Sequence, residues 1–260
     1  MEKRLTGKVA VVTGGASGIG KVAAQIFARE GARVVATTDS NIAGGEETVA
    51  SIRSAGGEAT FVKCDVSKAS DVESMIDDCV STYGRLDFAF NNAGIGPDGK
   101  RVPVVSLAEC PEEIWDRTIA INLTGVFLCM KYEIQQMLKQ NYGVIVNTSS
   151  VGALKPAQGF CAYNASKSGL IALTKTAALE YAASGIRANV ILPGPTDRTL
   201  LMEYLTGSQP GMREHMKEMI PMHRLATPED MAEAVVWLCT DEASFITGHA
   251  MPIDGGMSVG

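Results

Sequence analysis

The stretch Lys8-Val9-Ala10-Val11-Val12-Thr13-Gly14-Gly15-Ala16-Ser17-Gly18-Ile19-Gly20 decides the fold of this chain. An apolar run of strand length enters a glycine-rich turn, and a segment of helical period follows. Glycines there let the backbone approach a pyrophosphate, and the next helix offers it unpaired N–H groups and a partial positive charge. A merely tight turn has a similar glycine triplet, but the flanking strand and helix favour a dinucleotide site. Its predicted contacts are Gly14, Ser17, Gly18, Ile19 and Gly20.

Short runs rich in Val and Ile alternate with longer segments of helical period along the whole chain. This alternation is typical of βαβ units, so we predict an α/β fold: a doubly wound parallel sheet of about seven strands, with helices on both faces. Length and the lack of a linker favour a single domain over residues 1–260. The predicted strands are Lys8 to Val12, Arg33 to Thr37, Ala59 to Lys63, Leu86 to Phe90, Val144 to Asn147, Arg187 to Ile191 and His249 to Ile253.

Glycines and capping patterns mark the predicted helix boundaries. Helices are expected to end at Gly31, at Gly56-Gly57 and at Gly84, where glycine can take a positive φ. Ser70-Asp71-Val72-Glu73 has the pattern of a capping box, and Thr227-Pro228-Glu229-Asp230 places a capping hydroxyl before a proline.

Three further segments are assigned from their period. A helix is expected over Pro111 to Lys139, and another runs from Tyr163 towards Gly185. The segment from Pro195 to Pro221 is weakly periodic and rich in Met, Gly and Thr, so we interpret it as a substrate lid. The loop from Ile95 to Val105 is expected to line the same pocket.

Composition argues against several classes of protein. The net charge is −6, the isoelectric point is near 5.2, and no Lys/Arg run occurs, so nucleic acid is not an expected partner. The longest apolar stretch, Ile119 to Met130, is interrupted by polar residues and shorter than the roughly 20 residues that span a bilayer, and the amino terminus lacks a signal-peptide pattern. Six cysteines without a C-x-x-C pair and three histidines show no metal-ligand spacing. We therefore predict a cytoplasmic protein with no metal site and no membrane partner.

An acidic residue after the second strand bears on cofactor choice. Asp39 follows the glycine loop by about 20 residues, where a carboxylate can bind the adenosine ribose hydroxyls and repel a 2′-phosphate. No Arg or Lys occurs between Ala36 and Ile52, and Glu46 and Glu47 add negative charge. The sequence therefore favours NAD(H), with NADP(H) as the less favoured alternative.

A serine, a tyrosine and a lysine form the predicted catalytic set. Ser150 ends a predicted strand, while Tyr163 and Lys167 stand four residues apart and share one helix face. Hydride transfer at a carbon that bears oxygen requires a proton to move at that oxygen, and a free tyrosine titrates near ~10. An ammonium at ~4 Å, at an effective dielectric of ~20, favours the phenolate by ~4 kcal/mol before desolvation is counted. Ser150 can orient the substrate oxygen and stabilise charge on it.

Together these motifs resemble those of the short-chain dehydrogenase/reductase family. The resemblance covers essentially the whole chain and rests on the Thr13-to-Gly20 spacing and on these segments: Asn91-Asn92-Ala93-Gly94, Asn122, Ser150, Tyr163, Lys167, Pro193-Gly194 and Ile253-Asp254-Gly255-Gly256. It implies a Rossmann-type oxidoreductase that interconverts a secondary alcohol and a ketone, with Tyr163 as general acid or base. The substrate is then a small-molecule alcohol or ketone.

The resemblance also implies roles for further residues. Lys167 is expected to bind the nicotinamide ribose, and Asn122 to hold a water that links Lys167 to solvent. The remaining cofactor contacts implied are Asp65 and Val66 at the adenine, Asn92, Ala93 and Gly94 at the ribose, and Pro193 and Gly194 at the nicotinamide.

The chain departs from the family pattern at two positions. Thr38, not Asp39, aligns with the usual discriminating acid. Arg198 stands where the family often has a threonine that contacts the carboxamide, so Thr196 or Thr199 is expected to replace that contact. Arg198 itself is either a solvated loop charge, which we favour, or a partner for an anionic substrate group.

Two other functions stay open. An NADPH-dependent ketoreductase of the 3-oxoacyl thioester type has the same catalytic set, although Asp39 speaks against it. A non-catalytic dinucleotide-sensing protein is expected to have lost part of that set, which is intact here. The resemblance further implies a homotetramer, with a homodimer as the alternative.

Overall fold

The computed structural model describes residues 3–97, 102–207 and 211–259. Seven strands pair in parallel in one sheet, in the order β3-β2-β1-β4-β5-β6-β7. This confirms the predicted doubly wound sheet, and the predicted strand ends differ from the observed ones by at most two residues. The strands are β1 Val9–Thr13, β2 Arg33–Thr38, β3 Glu58–Lys63, β4 Phe88–Asn91, β5 Gly143–Thr148, β6 Ile186–Pro193 and β7 Ala250–Ile253.

Helices cover both faces of the sheet. Within the described residues they are α1 Gly18–Arg29, α2 Ile42–Ser54, α3 Ala69–Tyr83, α4 Glu112–Ile119, α5 Gly125–Gln140, α6 Cys161–Tyr181, α7 Leu200–Gly207, α8 Met212–Glu218 and α9 Pro228–Leu238. Helices α1, α2 and α9 pack on one face, and α3, α5 and α6 pack on the other. Ala10 and Val12 of β1 belong to the first core, Val9 and Val11 to the second. Burial on both faces explains why β1 is apolar from Val9 to Val12.

The strand order reverses beside β1. Strand β2 pairs with one edge of β1 and β4 with the other, so the connections that leave β1 and β4 diverge at their carboxyl ends. In an open α/β sheet this divergence opens the crevice where ligands bind. The glycine loop after β1 and the segment Asn92 to Gly94 after β4 both lie at this point.

Most of the predicted helix ends are observed. Gly31, Gly56 and Gly84 adopt φ values of 96°, 80° and 80° just after α1, α2 and α3. The capping box that Thr227 and Asp230 form at the start of α9 is also present.

The predicted capping box at Ser70 is wrong. Helix α3 begins at Ala69, and Lys68 occupies the capping position without a side-chain hydrogen bond. Ser70 therefore lies in the first turn, where its hydroxyl donates to the Asp71 carboxylate at 3.4 Å. Asp71 in turn accepts from the backbone N–H of Asp65, so the acidic side chain ties the helix to the preceding loop.

The predicted helix from Pro111 to Lys139 is interrupted. Helices α4 and α5 are joined by a π-helical turn over Ala120–Thr124. Within this turn the fully buried Asn122 exchanges two 2.8 Å hydrogen bonds with the backbone of Ile95. A π-turn widens the helix locally and is frequent at functional sites. Here it accompanies the hydrogen bonds by which Asn122 holds the loop after β4.

The predicted lid contains regular structure that the sequence did not reveal. Helices α7 and α8 lie within the segment from Pro195 to Pro221, and both are too short to show a clear period. Residues 208–210 of this segment lie outside the described residues, as do residues 98–101 of the loop from Ile95 to Val105. In the described ranges, none of the helices has the length and apolar character needed to cross a bilayer.

Candidate active site

A cavity of about 460 Å³ lies at the carboxyl ends of the strands. It brings together most of the predicted site residues, although they come from segments spread along the chain. Those that line it are Gly14, Ser17, Gly18, Ile19, Asp39, Asp65, Val66, Asn92, Ala93, Gly94, Ser150, Tyr163, Lys167, Pro193, Gly194 and Thr196. Gly20 and Asn122 lie behind this lining.

The glycine loop has a backbone that only glycine permits at several positions. Gly14 and Gly18 adopt φ values of 68° and 52°. A Cβ atom placed on Gly20 would lie 2.2 Å from the carbonyl oxygen of Gly14, so the helix can start this close to the loop only without a side chain there. Ser17 caps α1 without a side-chain hydrogen bond. The first-turn N–H groups are therefore open towards an anionic ligand.

Thr13 connects the glycine loop to the segment after β4. Its Oγ1 accepts hydrogen bonds from the backbone N–H groups of Asn92 and Ala93, at 3.0 and 3.1 Å. Asn92 also donates from Nδ2 to the carbonyl oxygen of Thr13 at 3.3 Å. The loop after β4 is thereby fixed to the end of β1. In the sequence Thr13 only marks the spacing of the glycines. Its position at the end of β1 was the one feature that could have indicated this contact.

Acidic residues lie at the end of the cavity next to β2 and β3. Asp39 is exposed and accepts a 2.9 Å hydrogen bond from the Ser40 hydroxyl. Asp65 accepts from the backbone N–H and the hydroxyl of Ser67, at 3.1 and 2.7 Å, and pairs with Lys68 at 3.2 Å. Burial opposes ionisation, but these hydrogen bonds lower the pKa of Asp65. This end of the cavity therefore presents negative charge.

Ser150, Tyr163 and Lys167 meet in the middle of the cavity. The Ser150 hydroxyl accepts from the backbone N–H of Gly152 at 3.1 Å. It lies near enough to the Tyr163 hydroxyl to lower the pKa of Tyr163. The Lys167 ammonium lies 5.8 Å from the centre of the Tyr163 ring and donates to the carbonyl oxygen of Thr148 at 2.7 Å. The helix spacing of Tyr163 and Lys167 thus places both side chains beside the end of β5.

Burial dominates the ionisation of this group. It raises the pKa of Tyr163, and the nearby Ser150 hydroxyl opposes that increase. It lowers the pKa of Lys167 to about 8. The expectation that the ammonium of Lys167 favours the phenolate stays a prediction. In the protein chain by itself the ammonium is directed at the carbonyl oxygen of Thr148.

Asn122 supports the site from behind. Besides its bonds to Ile95, its Nδ2 donates to the Ser166 hydroxyl at 3.3 Å. A Cβ atom on Gly94 would lie 3.1 Å from Asn122 Oδ1 and 3.5 Å from Lys167 Nζ. Asn122 and Lys167 therefore both approach Gly94. The expected water between Lys167 and solvent stays a prediction.

Residues after β6 close the cavity beside the glycine loop, since a Cβ atom on Gly18 would lie 3.6 Å from the carbonyl oxygen of Arg198 and 3.7 Å from Thr199 Cγ2. Thr196 is buried and donates to the carbonyl oxygen of Gly194 at 2.9 Å, and Thr199 donates to that of Thr196 at 2.8 Å. Arg198 does not line the cavity: its side chain is 58% exposed and pairs with Glu229. This favours the interpretation of Arg198 as a surface charge over a role in substrate binding.

Comparisons with known proteins agree with this geometry. A family model described as enoyl-(acyl carrier protein) reductase matches residues 14–258. The chain belongs to the short-chain dehydrogenase/reductase family. It is 45% identical to an uncharacterised oxidoreductase of Thermotoga maritima, over 96% of this chain and 97% of that protein. It is 42% identical to 3beta-hydroxysteroid dehydrogenase 1 of Eggerthella lenta, over 98% of this chain and 95% of that protein.

A solved structure is similar over the same extent. NAD⁺-bound xylitol dehydrogenase superposes with a TM-score of 0.90 at 34% identity, covering 98% of this chain and all of that chain. This short-chain dehydrogenase/reductase therefore keeps the family fold from end to end, and it is an oxidoreductase of that family.

Several residues that line the cavity of this short-chain dehydrogenase/reductase were not singled out from the sequence. They are mainly apolar, and no motif in the sequence marks them. They include Ile95, Gly96, Thr148, Val151, Gly152, Lys155, Phe160, Asn164, Leu201, Leu205, Met216 and Met257. Within the described ranges, no group of three or more His, Cys, Asp or Glu residues is placed to hold a metal ion.

Proposed function

We propose that the protein is an NAD(H)-dependent oxidoreductase that interconverts a secondary alcohol and a ketone, with Tyr163 as general acid and base. The observation that carries this proposal is the meeting of Ser150, Tyr163 and Lys167 inside the cavity that the glycine loop opens. The family model's description names an enoyl group. We favour chemistry at a carbon that bears oxygen, because Ser150 and Tyr163 present two hydroxyl groups to one substrate oxygen.

The cavity fits a nicotinamide dinucleotide. The cradle around Gly14 and Gly20 excludes any side chain, and the first turn of α1 leaves N–H groups for a pyrophosphate. Two buried hydroxyl groups of the cavity lining, Thr37 Oγ1 and Thr148 Oγ1, lack a partner in the protein. Buried hydroxyls are ordinarily satisfied, so their position supports a polar ligand. We propose that the predicted cofactor contacts that line the cavity bind the dinucleotide, and that Gly20 and Asn122 support them from behind.

The chain's own residues move the proton. When bound, the dinucleotide supplies the hydride acceptor for alcohol oxidation or the hydride donor for ketone reduction. In oxidation the substrate C–H and O–H bonds break, a C=O bond forms, and the hydroxyl proton passes to the Tyr163 oxygen and then to solvent. In reduction the Tyr163 phenol donates that proton. Because burial raises the Tyr163 pKa, the phenol is held ready to donate at neutral pH.

Lys167 and Ser150 support this transfer. With a pKa of about 8, Lys167 carries its positive charge at neutral pH, and that charge favours the phenolate during oxidation. The Ser150 hydroxyl is held by the backbone N–H of Gly152 and lines the cavity with Tyr163, so it can orient the substrate oxygen and stabilise negative charge on it.

NAD(H) is the cofactor we propose over NADP(H). Asp39 lines the cavity near β2, and its neighbours in the lining, Thr37, Thr38, Ser40 and Asn41, carry no positive charge that pairs with a 2′-phosphate. The NAD⁺-bound state of the similar xylitol dehydrogenase supports the same choice. The 3-oxoacyl thioester reductase that uses NADPH is therefore the less supported alternative.

We further propose a homotetramer of single-domain subunits in the cytoplasm. Exposed apolar side chains on α4, α5 and α6, namely Trp115, Phe127 and Leu179, support assembly. All six cysteines are unpaired, as expected in a reducing compartment. Light scattering after size exclusion distinguishes the tetramer from the homodimer.

The test of the proposed function is turnover of a panel of secondary alcohols with NAD⁺, followed by NADH absorbance. We expect Ser150→Ala to lower kcat by about 10²- to 10³-fold, because it removes a hydroxyl from the substrate oxygen. The control is Ser168→Ala, an exposed serine on α6, which should match the wild type. NADH binding without turnover of any alcohol or ketone would contradict the proposal and favour a dinucleotide-sensing protein.

A further inference from the structure

The part of the cavity beyond Tyr163 is walled by apolar side chains. They come from the segment after β5, from the lid helices and from the carboxyl-terminal tail. The residues that matter here are Val151, Phe160, Leu201, Leu205, Met216 and Met257. We refer to this part as the substrate chamber.

Tyr163 enters the substrate chamber between apolar groups. A Cβ atom on Gly96 would lie 3.5 Å from Tyr163 Cε2 and 3.7 Å from both terminal methyls of Leu201. Leu201 and Tyr163 therefore approach the same glycine. Phe160 packs edge-on against the Tyr163 ring, with 6.3 Å between ring centres. A molecule whose oxygen reaches Tyr163 consequently places its adjacent carbons near Leu201.

The far wall of the substrate chamber is held together by its own apolar cluster. Met202 and Met216 pack in this cluster with the region after α8, and Leu205 and Met257 pack against it. Lys155 donates from Nζ to the carbonyl oxygen of Met257 at 3.2 Å, which ties the tail to the segment after β5. Methionine side chains adapt to ligands of irregular apolar shape.

Charge and hydrogen-bonding groups are few in the substrate chamber. Four charged residues are among those that line the whole cavity. Asp39 and Asp65 lie at the opposite end, Lys167 lies beside Tyr163, and Lys155 is exposed and bonded to Met257. Apart from Ser150 and Tyr163, the chamber therefore offers little to a second hydroxyl or a carboxylate.

The amide of Asn164 does not change this conclusion. Its Nδ2 donates to the carbonyl oxygen of Ala157 at 2.9 Å. Its Oδ1 is shielded from solvent, and a Cβ atom on Gly152 would lie 3.0 Å from it. Oδ1 lacks a hydrogen-bond partner in the protein, so the amide contributes at most one acceptor to the substrate chamber, while Nδ2 is directed at Ala157.

We infer that the substrate is an uncharged secondary alcohol, or its ketone, on a compact apolar carbon framework, and that Leu201 selects for that framework. The inference rests on the proposed function, which supplies the reaction at the oxygen. A polyol would bury further hydroxyls without partners, each costing on the order of 10-fold in affinity or more. A carboxylate would lose its hydration, and the two nearby cations are directed at the backbone: Lys167 donates to Thr148 and Lys155 donates to Met257.

Four ring alcohols separate these classes. Cyclohexanol and decahydro-2-naphthol differ in apolar size, myo-inositol adds hydroxyls to the same ring, and 4-hydroxycyclohexanecarboxylate adds a negative charge. We expect kcat/KM with NAD⁺ to rise at least about 10-fold from cyclohexanol to decahydro-2-naphthol, since each buried CH₂ contributes roughly fourfold. We expect it to fall about 100-fold or more for the polyol and the carboxylate.

Leu201→Ala tests the role of the side chain. It should lower kcat/KM about 10-fold for decahydro-2-naphthol and change the value for cyclohexanol far less, since the smaller ring makes fewer contacts. The matched control is Leu107→Ala, an exposed leucine that does not line the cavity. Unchanged NADH affinity shows that Leu201→Ala keeps the fold. Equal losses on both rings would contradict the assignment of Leu201.

The inference and the proposed function fail in different ways. Faster turnover of myo-inositol or of the carboxylate than of cyclohexanol would overturn the inference alone. Binding is also measured without chemistry, by the change that each ring alcohol causes in NADH fluorescence with Tyr163→Phe. If decahydro-2-naphthol binds, but the wild type neither oxidises it nor reduces the corresponding ketone, the proposed function alone would be overturned.

Discussion

The ammonium of Lys167 donates a 2.7 Å hydrogen bond to the carbonyl oxygen of Thr148. The Ser149 hydroxyl donates in the opposite direction, to the carbonyl oxygen of Lys167, at 2.6 Å. These two bonds fix α6 against the end of β5. Because Ser150 follows β5 and Tyr163 lies one turn before Lys167, the same bonds set the position of the tyrosine relative to the serine.

Lys167 also makes stability depend on pH. Burial lowers its pKa from 10.5 to about 8, so between these values the unfolded chain binds the proton that the folded chain has released. Stability therefore rises with pH across this range. We expect the free energy of unfolding of the wild type, relative to Lys167→Met, to increase by up to about 3 kcal/mol between pH 8 and 10.5. Urea denaturation at several pH values measures it, with Lys175→Met, an exposed lysine of α6, as the control.

Asp39 tests the preference for NAD(H). We expect Asp39→Ala to lower kcat/KM with NAD⁺ by about 10- to 100-fold, because a charged hydrogen bond to the ribose contributes roughly 1.5–3 kcal/mol. The value with NADP⁺ should rise, since a repulsive charge is removed. Glu46→Ala removes a nearby exposed charge that does not line the cavity, and should leave the ratio of the two values near that of the wild type. An unchanged ratio in Asp39→Ala would contradict the assignment.

Gly20 tests the glycine cradle. A Cβ atom there would lie 2.2 Å from the carbonyl oxygen of Gly14, so Gly20→Ala must displace the loop or the start of α1. We expect NADH affinity, measured by fluorescence, to fall by about 10-fold or more, since the pyrophosphate contacts depend on this geometry. Gly207→Ala is the matched control, because its Cβ has open space around it. Equal affinities in the two variants would contradict the predicted cofactor position.

Glu133 is a buried acid that the sequence analysis did not single out. It is fully buried on α5, and its Oε2 accepts a 2.9 Å hydrogen bond from Nδ2 of Asn91. Asn91 also donates to Asn147 at 3.0 Å, and Asn147 donates to Thr174 at 2.9 Å. This chain of polar groups links α5 to α6 through Asn91 at the end of β4 and Asn147 in β5. Burial raises the pKa of Glu133 to about 8, and the bond from Asn91 opposes that increase.

The contribution of Glu133 to the free energy of unfolding should therefore fall as the pH rises. Between pH 4.5, the ordinary pKa, and about 8, the folded chain holds a proton that the unfolded chain has lost. We expect the wild type to lose up to about 5 kcal/mol of unfolding free energy across this range relative to Glu133→Gln, which keeps an acceptor oxygen. Urea denaturation measures the difference, and Glu180→Gln, an exposed acid of α6, is the control. If the free energy of unfolding changed equally with pH in the wild type and in Glu133→Gln, this would contradict a protonated Glu133.

Much of the fold and of the site was predictable from local patterns. Apolar strands and glycine turns have short-range causes, so the seven strands and the loop at Gly14 to Gly20 follow from the sequence. The catalytic spacing of Tyr163 and Lys167 follows from the helix period alone.

The features that the sequence did not reveal have tertiary causes. The π-turn at Asn122 accompanies hydrogen bonds to Ile95, a residue distant in the sequence. The raised pKa of Tyr163 depends on burial, which spacing does not reveal. The wall at Leu201 and Met257 combines the short helix α7 with the carboxyl-terminal tail, and neither segment shows a period that indicates the cavity between them.

The measurement that tests the central claim most directly compares Tyr163→Phe with Tyr181→Phe, a second tyrosine of α6 that does not line the cavity. NADH formation from a secondary alcohol and NADH binding are followed in both. We predict that Tyr163→Phe loses turnover by about 10³-fold or more while it keeps NADH affinity, because only the proton transfer is removed. Tyr181→Phe should match the wild type in both assays. Turnover by Tyr163→Phe close to that of Tyr181→Phe would contradict the role of Tyr163 as the general acid and base.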